Sequence, residues 1–329
     1  MPTLPTDPAP GAPPRLAAID VGSNSMRLVV AEVQPTGGYR IVTERREMTR
    51  LAGSLASSGR LDEQAIAKSL SALRRFKSIA EDWGVCLLQA IATCAVREAA
   101  NGAEFVARAA AEAGVELQVI DAQQEAELAF ASVRRRVDLA ERTTLLADIG
   151  GGSTELVVAA GDVIQQVFAT QLGAVRLAEK FARGGELSEL AYREMVAWID
   201  DELGAQINAT LPPLELLIGS GGTFTSAATM AIAASAQPDQ AVAAFRMSLA
   251  DLQRLLDRLR AMTREQRRGV PGLSPDRADI VVPGLAIIER IMQRLRVETL
   301  QVHPLGVRDG LLLSMIDELQ RGGNRATAL

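Results

Sequence analysis

Asp20-Val-Gly-Ser-Asn-Ser-Met-Arg-Leu-Val-Val-Ala31 returns 128 residues later as Asp148-Ile-Gly-Gly-Gly-Ser-Thr-Glu-Leu-Val-Val-Ala159. The Asp, the first Gly, the Ser and the closing Leu-Val-Val-Ala are identical in the two copies. A period this long is outside the range of about 20–50 residues that marks a solenoid. It reads instead as two related domains. Working outward, each copy follows a short apolar run (Leu16–Ile19, Leu145–Ala147) and precedes a turn (Thr36-Gly37-Gly38, Gly161-Asp162). A third strand-like run then comes near Tyr39–Thr43 or Val163–Phe168, so each domain is expected to open with a three-stranded meander.

Beyond the meanders, helical and strand patterns alternate. Asp62 reads as the N-cap of a helix over Glu63–Ala80, with Ile66, Leu70, Leu73, Phe76 and Ile79 on one stripe. Val85–Ala92 is a buried-strand run, Ala103–Ala113 a helix stopped by Gly114, Val115–Ile120 a strand and Gln124–Arg136 a helix. The second half offers helices at Ala174–Ala182 and Glu189–Ile207, a strand at Leu214–Ile218, and a helix at Thr223–Ala234. Further helices are expected at Leu249–Ala261, Arg277–Leu295 and Val307–Arg321. The scheme is βββαβαβα twice, an α/β class. The expected division is a Pro-rich disordered tail at 1–15, a first domain at 16–138 completed by a helix at 307–321, and a second at 139–306 with helical insertions.

Composition narrows the function. The 329 residues carry 35 Lys+Arg against 40 Asp+Glu, a net charge of −5, which speaks against a broadly basic nucleic-acid surface. No run of 18 apolar residues reads as a membrane span. The tail has no apolar signal-peptide core, and two cysteines make no disulfide framework, so a cytoplasmic protein with neither nucleic-acid nor membrane partner is expected. A single histidine, His303, excludes sites that need several and disfavours a Ser-His-Asp hydrolase; it reads as structural.

The repeated loops carry chemistry. Gly, Ser and Asn after a strand let the backbone approach a ligand closely and supply an anion-binding nest of amides, with Ser23, Ser25, Ser153 and Thr154 adding hydroxyls. An Asp at the strand end, Asp20 or Asp148, can hold a divalent cation or orient water. Ile218-Gly-Ser-Gly-Gly-Thr-Phe is a third loop that opens a helix, another anion site. None is a P-loop, since no Gly-Lys-Ser/Thr occurs. The expected phosphate ligands are Gly22, Ser23, Asn24 and Ser25; Gly150, Gly151, Gly152, Ser153 and Thr154; and Gly221, Gly222 and Thr223.

These loops resemble those of the sugar kinase/Hsp70/actin superfamily, whose two ribonuclease-H-like (actin-like ATPase) domains clamp phosphates in a cleft. More closely, the chain resembles the exopolyphosphatase/guanosine pentaphosphate phosphohydrolase family over Leu16 to Leu319. Both loops carry the likeness, as do Ala92–Asn101 (ATCAVREAAN), Val119–Leu128 (VIDAQQEAEL), Gln171–Phe181, Gly272–Gly284 (GLSPDRADIVVPG) and Gly306–Leu312 (GVRDGLL). The resemblance implies an exopolyphosphatase that hydrolyses terminal phosphoanhydrides. Its alternative is a guanosine pentaphosphate (pppGpp) 5′-phosphohydrolase; more remote ones are a superfamily kinase and a non-catalytic nucleotide or polyphosphate sensor. It makes Glu125 the base or water positioner and Arg97 a phosphate and transition-state ligand, with Asn101 orienting phosphate or a loop. The expected cofactor is Mg²⁺ or Mn²⁺, with Asp148, Asp20 and Glu155 as candidate ligands; the last stands where apyrase-like relatives carry Gln. Polyphosphate or pppGpp is the expected partner, with a homodimer left open. The family often has two acids where this chain has Gln124-Glu125, so Glu125 is expected to lack a carboxylate neighbour. The chain stops soon after Leu319 without the helical extension of longer members, which predicts a preference for short chains. Arg277 is a further phosphate candidate or a domain-bridging ion-pair partner. The arginine runs Arg134–Arg136 and Arg254–Arg268 are solvated faces or guides for a polyanion, and Cys86 and Cys94 read as small buried apolar residues.

Overall fold

The structure, a computed structural model, describes residues 13–35, 37–182, 186–207, 211–237 and 239–326, the side chains of 322–326 excepted. Most of the expected Pro-rich tail, residues 1–12, and Thr36 of the first turn lie outside the described residues. The chain divides into two compact units, Met1–Ser132 with Val307–Leu329, and Val133–Gly306.

Unit 1 opens with the meander β1 (Arg15–Val21), β2 (Met26–Val33) and β3 (Tyr39–Glu47), followed by α1 (Leu55–Ser58) and α2 (Glu63–Asp82). Then come β4 (Leu87–Ala92), α3 (Cys94–Glu98), α4 (Gly102–Ala113), β5 (Leu117–Val119) and α5 (Ala122–Arg134). The sheet order is β3-β2-β1-β4-β5, antiparallel within the meander and parallel across β1-β4-β5. Asp62 caps α2 by accepting from the amides of Gln64 and Ala65, and Ile66, Leu70, Leu73 and Phe76 are buried beneath that helix. Gly114 ends α4 at φ 63°, a left-handed turn that costs a glycine little.

Unit 2 repeats the opening: β6 (Thr143–Ile149), β7 (Thr154–Ala160), β8 (Val163–Thr170). Next are α6 (Ala174–Phe181), α7 (Glu189–Gln206), β9 (Leu216–Ser220), α8 (Gly222–Ala233), β10 (Arg246–Ser248), α9 (Leu249–Arg260) and α10 (Arg264–Arg268). A short 3-10 helix at Pro275–Arg277 precedes α11 (Val281–Arg294) and β11 (Thr299–Val302). The order is β10-β11-β9-β6-β7-β8, so the five strands β8-β7-β6-β9-β11 reproduce the first sheet and β10 adds an antiparallel edge. The repeat reaches fine detail. β1 and β6 share one burial pattern. The ladders β2–β3 and β7–β8 also slip register at equivalent places, Val30/Ala31 and Val158/Ala159.

Two strands and several short helices depart from expectation. β10 and β11 are three and four residues long, with too few alternating positions to stand out. The helix expected from Arg277 splits because Ser274-Pro275 starts a 3-10 turn first, and α11 begins at Val281.

The last helix, α12 (Val307–Ala326), returns to unit 1. Leu311, Leu312, Met315 and Ile316 join Leu16, Ala18, Val29, Ala31, Ile91 and Ile120 in its core. At about 25 cal/mol per Å² of apolar surface removed from water, four large side chains are a substantial share of that core.

Candidate functional site

Each unit presents its repeated loop at the carboxyl end of a central strand, where β1 or β6 has an antiparallel neighbour on one side and a parallel one on the other. Ligands of open α/β sheets bind at such a switch in connection. In unit 1 the carbonyls of Ser23 and Asn24 accept from the amides of Ala52 and Arg50 (3.0 and 2.9 Å). In unit 2 the carbonyls of Gly150 and Gly151 accept from the amides at the start of α6, Ala174, Val175 and Arg176, and the Gly152 carbonyl from Arg176 Nε at 2.7 Å. In both copies the chain after the third strand ties the loop's carbonyls back. Among the described residues the amides of Gly22–Ser25 and of Gly151–Ser153 then have no acceptor. Successive amides left over in this way form an anion nest. Asn24 adds a buried side-chain nitrogen, Nδ2, with no hydrogen-bond partner, a donor of the kind a phosphate oxygen would satisfy.

The glycines serve close approach more than left-handed geometry. None of Gly22, Gly150, Gly151 and Gly152 has positive φ. A Cβ at Gly22 or Gly150 would crowd the carbonyl of Ser25 or Ser153 (3.1 and 3.3 Å). Gly221 is different: φ is 93°, and a Cβ there would lie 2.7 Å from Asp148 Oδ1. It opens α8, whose first amides, from Gly222 on, lack intrahelical acceptors as at any helix start. Arg277 lies against Gly222, where a Cβ would overlap its guanidinium. Thr223 is buried at this start. Thr154 corrects an expectation. It is fully buried within β7, and its hydroxyl donates to the Leu172 carbonyl, so it braces the loop and is not an outward donor.

The predicted base and arginine meet within unit 1. Arg97, on α3, donates from Nη1 to Glu125 Oε2 at 3.1 Å and to the Ile120 carbonyl at 2.8 Å. Glu125 is buried in the first turn of α5, where the helix dipole favours a carboxylate. Asn101 spends its amide on a loop: Oδ1 accepts from the Leu61 amide and Nδ2 donates to the Leu61 carbonyl (2.8 and 3.1 Å). Of its two expected roles, the structure gives it the loop.

The duplicated hairpins differ where charge matters. In β1–β2 Asp20 stands opposite Arg27; at the same register in β6–β7 Asp148 stands opposite Glu155. Directly opposed residues share a face and lie about 4.5–5.5 Å apart at Cβ, where like charges repel. Only the second hairpin therefore presents two carboxylates that a cation would reconcile. Among the described residues no three His, Cys, Asp or Glu side chains gather into a metal-holding group. Mg²⁺ suits such a pair, because it binds through one or two carboxylates plus waters and substrate phosphates. Burial pushes the Asp20 carboxyl above its ordinary value, against the pull of Arg27 and Arg308, with Asp309 adding a smaller push.

Most arginines of the stretch Arg254–Arg268 in unit 2 are paired. Arg254 meets Asp251, Arg260 meets Glu189 and Asp257, and Arg268 meets Glu265. Arg267 is buried, with its guanidinium on the carbonyls of Leu259, Met262 and Ala278. It fastens the turn that follows Arg277. Nothing in its sequence neighbourhood distinguishes it from the surface arginines around it.

A loop of tied-back carbonyls and unmet amides, occurring twice, with an acidic pair beside the second copy, is an arrangement suited to phosphate. The profile of the Ppx/GppA phosphatase family matches residues 29–319. The chain belongs to the Ppx/GppA phosphatase family. This Ppx/GppA chain is 31% identical to exopolyphosphatase 1 of Mycobacterium leprae, over 92% of its own length and 90% of the relative's. It is 30% identical to exopolyphosphatase 2 of Mycobacterium tuberculosis, over 92% and 98%. Among solved structures it is similar to an exopolyphosphatase from Cytophaga hutchinsonii, with TM-score 0.84 and 28% identity over 92% of this chain and 98% of that one. The Ppx/GppA fold is thus two α/β units, as the repeat predicts, of the actin-like kind that the resemblance implies.

Proposed function

We propose that this chain is an exopolyphosphatase, hydrolysing the terminal phosphoanhydride of inorganic polyphosphate to release orthophosphate. The observation that carries the reading is the duplicated loop with its carbonyls tied back and its amides left over. The names of the relatives support polyphosphate over pppGpp, the other activity the family name embraces.

The roles follow from the chemistry. Loop amides and Asn24 take phosphate oxygens; Arg97 offsets charge on the transferring group and holds Glu125; Glu125 accepts the proton of the attacking water. The bond from that water's oxygen to the terminal phosphorus forms as the bridging P–O bond breaks, leaving a shortened polyphosphate and orthophosphate. Membership in the family implies Mg²⁺ or Mn²⁺, which Asp148 and Glu155 would hold, with Asp20 a weaker candidate because Arg27 stands opposite it. When bound, the metal supplies neutralisation of phosphate charge. Among the described residues no helix is long and apolar enough to cross a membrane, and neither cysteine is in a disulfide, which supports a cytoplasmic setting.

The test is kcat/KM measured side by side on short polyphosphate, long polyphosphate and pppGpp. Preference for polyphosphate is expected; a clear preference for pppGpp would overturn the substrate assignment.

A further inference from the structure

A second cluster of buried charge in unit 1 lies at the first turn of α12. Asp309 is 2% exposed and Arg308 9%. Tyr39 donates its hydroxyl to Asp309 Oδ1 at 2.8 Å. Arg308 Nη1 donates to Glu44 Oε2 at 3.0 Å, and Nη2 lies 3.6 Å from Asp309 Oδ2. Tyr39 and Glu44 are both on β3, the outer strand of the meander that carries the first loop.

A fastener for α12 alone would not need these charges. Leu311, Leu312, Met315 and Ile316 already bury that helix in the core. A buried ion pair is often no more stabilising than well-packed apolar residues of the same volume. What distinguishes the cluster is its reach. α12 packs on Leu16 and Ala18 of β1, the strand that carries Asp20, starting from the turn that holds Arg308 and Asp309. One residue on, Gly310 is pressed so closely to α5 that a Cβ would overlap the carbonyl of Leu128, three residues after Glu125.

We propose that Arg308, Asp309 and Tyr39 are positioning residues: they fix the first turn of α12 and, through it, the elements carrying Asp20 and Glu125, and so set turnover without touching substrate. This rests on the hydrolytic reading above.

The experiment compares Tyr39→Phe, Asp309→Asn and Asp309→Glu with Leu312→Val, a control that weakens α12 through its apolar face alone. Wild type is assayed first for phosphate release from short polyphosphate. Expected for Tyr39→Phe and Asp309→Asn is a fall in kcat of roughly ten-fold or more with KM little changed, the loss typical of residues that orient a ligand from behind. Asp309→Glu should recover part of it. Amide hydrogen exchange in β1 and in the first turn of α5, where the amides are hydrogen-bonded, should quicken in both variants, and Leu312→Val should leave kcat per folded molecule intact. Unchanged kcat in Tyr39→Phe, which removes one hydroxyl and is the variant least able to disturb folding, would overturn the proposal. So would an equal kcat loss in Leu312→Val. If wild type releases no phosphate, the hydrolytic reading fails by itself; unchanged exchange in Tyr39→Phe and Asp309→Asn would then sink the positioning role independently.

Discussion

Glu125 and Arg97 are 28 positions apart in sequence and 3.1 Å apart in space. That pairing makes a sharp prediction at the residue scale. Glu125→Gln keeps the shape and most of the packing but removes the proton acceptor, so phosphate release should fall by ~10²–10⁴-fold. Polyphosphate binding, measured by calorimetry, should persist. Near-wild-type release would remove Glu125 from its role. Asp20 gives a pH prediction. Its folded value is raised, so in the window above the ordinary carboxylate value the folded protein holds more protons than the unfolded chain, and stability falls as pH rises. Without metal, Asp20→Asn should therefore be more stable than wild type near neutrality, the gap closing as pH drops below about 4. Urea midpoints across that range check it; a variant less stable at neutral pH would contradict the sign.

At the scale of elements, the two hairpins share register and even the position of the bulge, yet carry Arg27 in one and Glu155 in the other. Asp148→Asn or Glu155→Gln should raise the Mg²⁺ concentration for half-activity by roughly 10–100-fold. Asp20→Asn should shift it less, and the reverse order in a metal titration would misplace the cation. Gly221→Ala forces a side chain into a φ of 93° and toward Asp148, and should cost about 1–3 kcal/mol, read by chemical denaturation. The hairpins were legible from sequence because glycine, Asp and unbroken apolar runs each mark one backbone event. Arg267 was not, because burial against three carbonyls leaves no periodic trace. Nor was the bracing role of Thr154, since a hydroxyl inside a loop motif and one just behind it look the same in one dimension. β10 and β11 failed for length alone; the resemblance gave Arg97 and Glu125 separate roles, and neither it nor their spacing foretold the contact between them.

Across the whole molecule, a net charge of −5 must coexist with a polyanionic substrate. Binding then depends on local donors and a cation rather than on a basic field, since the arginines of α9 and α10 are largely spent on neighbouring acids or carbonyls. Chelating the metal should abolish phosphate release with little loss of secondary structure, followed by circular dichroism alongside the assay. Activity that survives chelation would refute that dependence.

The interruption of unit 1 has a consequence for biosynthesis. Unit 2 runs unbroken from Val133 to Gly306, so all of its sequence has been made before α12 leaves the ribosome. The core beneath β1 must wait for Leu311, Leu312, Met315 and Ile316. The first half of the chain to be synthesised is therefore the last to be sealed, and until then its apolar surface is open to chaperones, proteases and neighbouring nascent chains.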